Sequence, residues 1–374
     1  MKSGHVHQID GHQTLASVAQ PFVFALGLLT GLLIVINRGD LLPNYFRFDS
    51  DKIQLVVSGY SYGDSSFDPV GAVYRSLGII ESPLLAGLVG YGIFAVALLI
   101  VYARNARAAA SWYVTTVFAV AAILGGVYLG GYSKDVFVLP IVFLAMLLPK
   151  GIGWDAIIVG SMLIYAAEFR SYWTLVAAIY VIFRIVLPRA RRLRYLIAWL
   201  LFASVIVSLV IYFALGAPPD AYRSVVNESR GQVAINTVIE PFFDGPQPVS
   251  GIINNALTLA ALIVPLPLAR LGGVYYLVLA TMIFVIWIGF LLAARRTIRS
   301  RDSTYRGKIT IGRCIAMVLA FLTVQAAFEP DYGSALRHLV PLVPAMLMVA
   351  FGSNRQPSSE IAPISSQFTE HNER

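Results

Sequence analysis

A single cysteine, Cys314, occurs in all 374 residues. It lies inside an apolar run, so neither a disulfide framework nor a cysteine metal site is open to this chain. Charge is scarce as well: Asp, Glu, Lys and Arg make up 13% of the residues, where a soluble domain carries about 25%. No polar stretch is long enough to fold as a separate soluble domain, and no internal repeat argues for a duplicated transporter. The polar N-terminal stretch, with His5, His7 and His12, lacks a cleavable signal pattern and reads as a cytoplasmic tail rather than a metal site. What is present is apolar: 57% of residues are hydrophobic and the mean hydropathy is +0.72. This is the composition of an all-α, multi-pass membrane protein. The net charge of +8 does not point to nucleic acid, because Lys and Arg are scattered through short loops between apolar runs, as the positive-inside rule distributes them.

About 20 apolar residues cross a bilayer, which predicts spans near 16–37, 84–103, 110–130, 136–149, 156–169, 173–188, 195–216, 274–294, 310–328 and 338–352. The basic sites Arg104 and Arg107, Lys150, Pro188 to Arg194 and Arg295 to Arg301 are expected on the cytoplasmic side. Residues 38–83 and 217–251 then form long external loops. The piece 252–271, with Pro265, Pro267 and the following Gly272-Gly273, would reverse the last basic site if it crossed. It therefore reads as a re-entrant or interfacial segment, covered by protein at membrane depth. The expectation is one integral membrane domain over 1–352, with about ten spans, both termini inside and a disordered cytoplasmic tail over 353–374.

Under this topology several cations face outward, against the usual sorting. Three occupy very short turns: Lys134 in Ser133-Lys134-Asp135, Arg170 in Glu168-Phe169-Arg170, and Arg337 in Glu329-Pro330-Asp331-Tyr332-Gly333-Ser334-Ala335-Leu336-Arg337-His338. Charges at a bilayer edge have a partner or a task. One reading is a shared anion site, with guanidinium forks matched to phosphate oxygens. The other is local pairing of Lys134 with Asp135, Arg170 with Glu168, and Arg337 with Glu329 or Asp331. Pro330, Asp331 and Gly333 read as a tight turn, after which Arg337 and His338 are expected at the positive end of a short helix, where an anion and a neutral imidazole are favoured. In the first external loop, Asp49-Ser50-Asp51 can hold a divalent cation through hard oxygen ligands or pair with Arg47 and Lys52. The loop aromatics suit sugar stacking or an interfacial belt. The second external loop, with Tyr222, Arg223, Asn227, Glu228 and Arg230, is of a length that suits a lid.

These segments, together with Ala72-Val73-Tyr74-Arg75-Ser76-Leu77-Gly78 and the stretch from Asn254-Asn255 to Pro267, resemble the bacterial O-antigen (Wzy-type) and exopolysaccharide polymerases, diffusely and over most of the chain. The resemblance implies a glycosyltransferase C-like helical fold in the bacterial inner membrane. It implies an enzyme that joins oligosaccharide repeat units carried on undecaprenyl diphosphate, for lipopolysaccharide or exopolysaccharide, by inverting glycosyl transfer at the outer face. Its external arginines map to Arg75, Arg170 and Arg337 as diphosphate clamps, with Lys134 assisting. Arg223 and Arg230 follow less directly, since this chain lacks a large arginine-rich second loop. An external histidine or acid serves as base: His338 first, then Glu329 or Glu168. Asp49 and Asp51 become acceptor-binding or metal-binding candidates, with no cofactor favoured because the arginines make a metal dispensable. The implied partners are the lipid-linked oligosaccharides, membrane lipids and, as a candidate, a chain-length regulator. A lipid-linked-sugar flippase and an O-antigen ligase remain as alternatives.

Overall fold

The computed structural model describes residues 11–60, 65–105, 111–149, 151–189, 192–229, 237–299 and 305–352. His5 and His7, Arg230 and the 353–374 tail lie outside the described residues. Every regular element among those described is helical. The chain opens with α1 (Gly11–Ile36), then three short helices, α2 (Arg38–Leu41), α3 (Phe48–Val57) and α4 (Asp68–Ser76). It continues with α5 (Pro83–Arg104), α6 (Trp112–Leu129), α7 (Leu139–Leu147), α8 (Ile152–Glu168), α9 (Trp173–Val186) and α10 (Leu193–Leu215). After α11 (Ala221–Ser229) come α12 (Val249–Ile263), α13 (Leu266–Arg270), α14 (Val274–Arg299) and α15 (Tyr305–Phe328). The last run is α16 (Tyr332–Leu339) and α17 (Val343–Gly352), joined by one tight turn into a 21-residue rod.

Seven helices among the described residues are long and apolar enough to cross a membrane. Their outer faces support that reading. On α1, Phe22, Leu26, Leu29, Leu33 and Ile36 are each about half-exposed or more, at the three-to-four-residue spacing of a single helix face. A soluble helix places polar residues there; a lipid-facing one does not. The chain is therefore a polytopic helical membrane protein. The apolar segments Asp135–Leu147, Trp173–Val186 and Val249–Ile263 are shorter.

The interior is built around α15, 89% of whose apolar window is buried, against 28% for α1. Helices α7, α9, α10, α12 and α17 pack against it. At the periphery α1 and α6 run side by side and parallel, and small residues set their distance. A Cβ on Gly126 would lie 2.4 Å from the Gly31 carbonyl oxygen, and one on Gly27 2.5 Å from the Ala119 Cα. Small residues allow this approach between membrane helices, where dispersion replaces the hydrophobic effect as the packing force.

Two polar clusters mark the ends of the bundle. At one end the Asp155 carboxylate receives Arg184 at 3.0 Å, Arg313 at 2.8 Å and the Tyr180 hydroxyl at 2.9 Å. Arg313, fully buried, also donates to the Leu148 and Pro149 carbonyls at 2.9 Å, closing the C-terminus of α7. Arg104 donates to the nearby Met146 carbonyl at 2.9 Å. The opposite end holds Asp135, Arg170, Glu329 and His338. Helices α8, α9 and α15 each run from one cluster to the other. From Arg313 to Phe328 is about 23 Å of helix at 1.5 Å per residue, and every side chain from Cys314 to Leu322 in between is apolar and buried.

Residues 38–60 and 65–79 form a cap over the second end with an apolar core of their own, in which Ile53, Val56, Val57, Val70 and Tyr74 meet Tyr132. The sequence suggests a loop here; the structure has three helices, because the apolar positions recur at helical spacing in runs too short to reveal a span. Helix α12 enters from this same end: its Asn254 side chain binds the backbone of Phe242 and Phe243. It stops at Val264, ahead of Pro265. Its Leu262 and the Ile283 and Trp287 side chains of α14 line one small void, and α13 also packs against α14.

Candidate active site

Three connections and one helix turn build the site. The turn after α6 presents Ser133-Lys134-Asp135, and the α8–α9 turn presents Arg170. The loop after α15 presents Glu329, and the second turn of α16 presents Arg337 and His338. Pro330 and Asp331 are held by a short antiparallel bridge to residues 237–239, in which Ile239 N–H donates to the Pro330 carbonyl at 2.9 Å and Tyr332 N–H to the Thr237 carbonyl at 3.0 Å. Asp331 then caps α16, its carboxylate accepting from the Ser334 N–H at 2.8 Å. This corrects the expectation for Arg337 and His338. The helix starts at Tyr332, so Asp331 takes the positive end and the Arg–His pair lies more than a turn inside. Helix-dipole stabilisation fades within the first turn and does not act on them; Gly333 is helical rather than part of a turn.

The guanidinium of Arg170 meets Asp135 at 3.2 Å, the Tyr172 hydroxyl at 2.9 Å and the His338 Nε2 at 2.7 Å. Arg337 reaches Asp49 at 2.9 Å with Nη1 and the same His338 Nε2 at 3.1 Å with Nη2. Its Nε stands 3.7 Å from Asp135 Oδ2 and makes no hydrogen bond. A guanidinium only donates, so the doubly contacted Nε2 must accept, and the imidazole proton belongs on Nδ1. That atom lies 3.0 Å from Glu329 Oε2, which also accepts from Gln325 Nε2 at 2.9 Å. The other carboxyl oxygen, Glu329 Oε1, is buried with no hydrogen-bond partner among the described residues.

Burial pushes the Glu329 carboxyl up from 4.5 to about 8; Asp331 and Asp135 add to the rise while Arg337 and Arg170 oppose it. With Oε2 taking two donors, the proton retained at neutral pH sits on Oε1. The native chain thus holds a proton that the unfolded chain has released. Folding stability is full below about 4.5, declines as pH rises and has lost this contribution above 8. Glu329→Gln, which cannot ionise, is expected to flatten the fall in thermal stability of the purified chain between pH 5 and pH 8. A wild-type slope retained in the variant would assign it elsewhere. Asp49 shows the opposite balance: withdrawal from water raises its carboxyl, but Arg337, Arg170, Lys52 and Lys134 outweigh this and hold it below the ordinary value.

The anticipated pairings of neighbours in sequence are replaced by pairings between turns. Asp135 serves Arg170 and Arg337 rather than Lys134. Lys134 donates instead to the Ser66 hydroxyl at 2.7 Å and lies 3.3 Å from the centre of the Phe67 ring, tying the cap to the bundle. Arg75 on α4 and Glu168 at the end of α8 are exposed and join no contact of this cluster. Asp49 and Asp51 occupy the first turn of α3, where residues two apart point to different sides: Asp49 meets Arg337, whereas Asp51 is exposed. Among the described residues no group of three or more His, Cys, Asp and Glu is placed to hold a metal ion. Arg223 is 3% exposed and its donors are engaged by Thr258, the Asn255 amide oxygen at 3.2 Å and the Ala326 carbonyl at 3.1 Å. Burial lowers it to about 10, against the pull of Asp220; it props the loop rather than joining the cluster.

Sequence reasoning missed Gln325 and Tyr172 and gave Asp135 a lesser role. Gln325 precedes Glu329 by one helical turn, a spacing that brings two side chains together on a helix and would have marked it. With this geometry in view, the chain matches no protein-family model, no curated protein and no solved structure.

Proposed function

We propose that this protein is a glycosyltransferase that joins lipid-diphosphate-linked oligosaccharides, as the O-antigen and exopolysaccharide polymerases do. The observation that carries the reading is the convergence of Arg170 and Arg337 on one imidazole nitrogen, at 2.7 and 3.1 Å, with Glu329 behind the ring. Two guanidiniums supply planar forks for a diphosphate, and a neutral histidine with its Nε2 lone pair inward is a general base. The glycosyltransferase C-like fold, the inner-membrane location and a site on the outer face belong to the same proposal. The external orientation rests on the basic residues Arg104, Arg189, Arg192, Arg194, Arg295, Arg296 and Arg299, which associate with the opposite end.

The order of events follows from what the base already holds. Before substrate arrives, the lone pair of Nε2 is covered by both guanidiniums. A bound diphosphate offers these cations stronger, charged acceptors, and as they turn to it the lone pair is released. Nε2 then takes the proton from an acceptor sugar hydroxyl while that oxygen bonds to the anomeric carbon of the donor. The bond from the anomeric carbon to the phosphate oxygen breaks, and the lipid diphosphate leaves with the electron pair, its growing charge offset by Arg170 and Arg337. Attack opposite the leaving group inverts the configuration. Glu329, fixed by Gln325, keeps the imidazole proton on Nδ1.

The buried apolar stretch from Cys314 to Leu322 offers no polar route between the two ends and speaks against a flippase. Reconstituting the full chain in vesicles with an undecaprenyl-diphosphate-linked repeat unit tests the proposal. Lipid-linked products of two or more repeats are expected, with undecaprenyl diphosphate released. Transfer only onto a lipopolysaccharide core acceptor would make it a ligase, and movement of unmodified substrate across the bilayer would make it a transporter.

A further inference from the structure

A cavity of about 270 Å³ opens beneath α11, lined by none of the residues of the Arg170–His338–Arg337 cluster, and nothing in the mechanism above uses it. Its polar wall residues are Asp220, Arg223, Ser224, Asn227, Glu228 and Glu240, and the Arg223 donors are already taken by Thr258, the Asn255 amide oxygen and the Ala326 carbonyl. The volume lies just under the ~300 Å³ at which drug-sized ligand pockets begin. Asp220 is held in place by the Asn254 amide at 2.8 Å. Glu228 and Glu240 are exposed at the rim, so the opening repels a diphosphate, and no three carboxylates among the described residues converge as a metal site would need. A ligand that suits these walls is uncharged and rich in hydroxyl donors.

Two features connect the cavity to the reacting groups. Its wall residues Val238 and Ile239 belong to the bridge that holds Pro330 and Asp331, directly beside Glu329. An aromatic ledge runs alongside: Tyr222 meets the Phe328 ring edge-on at 5.1 Å, Phe328 stacks on Tyr172 at 5.5 Å, and the Tyr172 hydroxyl accepts from Arg170. Flat rings leading from a hydroxyl-binding cavity to a diphosphate clamp are what an oligosaccharide chain can lie upon. We infer that the cavity under α11 is a binding subsite for the neutral sugar residues of the oligosaccharide, separate from the cationic subsite for its diphosphate. This inference rests on the glycosyltransferase reading and assigns the sugar part of that substrate its own site.

The test measures the two subsites apart on the purified full chain, using saturation-transfer NMR with a panel of neutral disaccharides (maltose, cellobiose, lactose and chitobiose) and titration with inorganic pyrophosphate. Wild-type protein is expected to bind at least one disaccharide. Ser224→Trp, which fills the cavity, and Asn227→Leu, which removes a polar side chain from its wall, are each expected to weaken that binding about tenfold or more while pyrophosphate binding is kept. Arg337→Ala is expected to do the reverse. Disaccharide binding undiminished in Ser224→Trp overturns the inference, as does a wild-type chain that binds none of the panel. Sugar bound and lost in both cavity variants, with no pyrophosphate bound by any form, would uphold the cavity and remove the diphosphate reading beneath it.

Discussion

Arg337→Ala is expected to abolish polymer in cells and to lower repeat-unit transfer in vesicles by about 10²–10³-fold, the usual loss when one preorganised donor at a developing anion is removed. The size of the effect follows from position. Arg337 is one of two cations on the imidazole and the one that bridges α3 of the cap to the bundle through Asp49. Its side chain is 27% exposed and that of Asp49 33%, so water screens the pair in part and its loss costs less than that of a fully buried ion pair. Membrane abundance should therefore remain near wild type, which separates lost chemistry from lost protein. Arg337→Lys keeps the charge but not the planar fork and is expected to recover only part of the activity. Polymer of wild-type length in the alanine variant would end the role given to this arginine.

The second large effect is expected at His338. Substituting alanine removes the base and should cost about 10²–10⁴ in the rate of transfer. Glutamine is the sharper probe, because its amide oxygen can still accept from Arg170 and Arg337 but takes up no proton at neutral pH. His338→Gln is expected to bind pyrophosphate at least as well as wild type, to keep its KM for lipid-linked substrate and to lose kcat. This is the pattern of an interaction made only in the transition state. Undiminished kcat in both variants would take the role of base away from His338.

The membrane character and most helix positions were legible because apolar runs of the required length announce themselves; α5, expected at 84–103, spans Pro83–Arg104. The start of α16 was not read, although Asp331 with Ser334 three residues on is the spacing at which a capping side chain reaches a backbone N–H. The proline before it suggested a turn instead. The cost of placing charge at a bilayer edge marks Arg170 and Arg337 as members of one anion site, while the role of His338 and Glu329 as base comes from the resemblance. Which anion each would face was not readable. Asp135 is next to Lys134 in the chain, yet neighbours on a short turn point apart, and only the packing of α7 and α9 against α15 brings Asp135 to Arg170. Arg223 shows the converse: an outward cation fit for a ligand by sequence is consumed by the amides and carbonyls of α12 and α15.

The separation of the two ionic clusters along α15 has a further consequence. Some 23 Å of helix divides them, about 7 Å less than the roughly 30 Å thickness of a bilayer's hydrocarbon slab. Lipid beside the short helices α7 and α9 must thin, or the histidine and its arginines must lie in a dimple below the headgroup plane, at a fraction of a kcal/mol for each ångström of mismatch. For the proposed lipid-linked substrate, such a dimple would bring the diphosphate to the guanidiniums without drawing its tail out of the membrane.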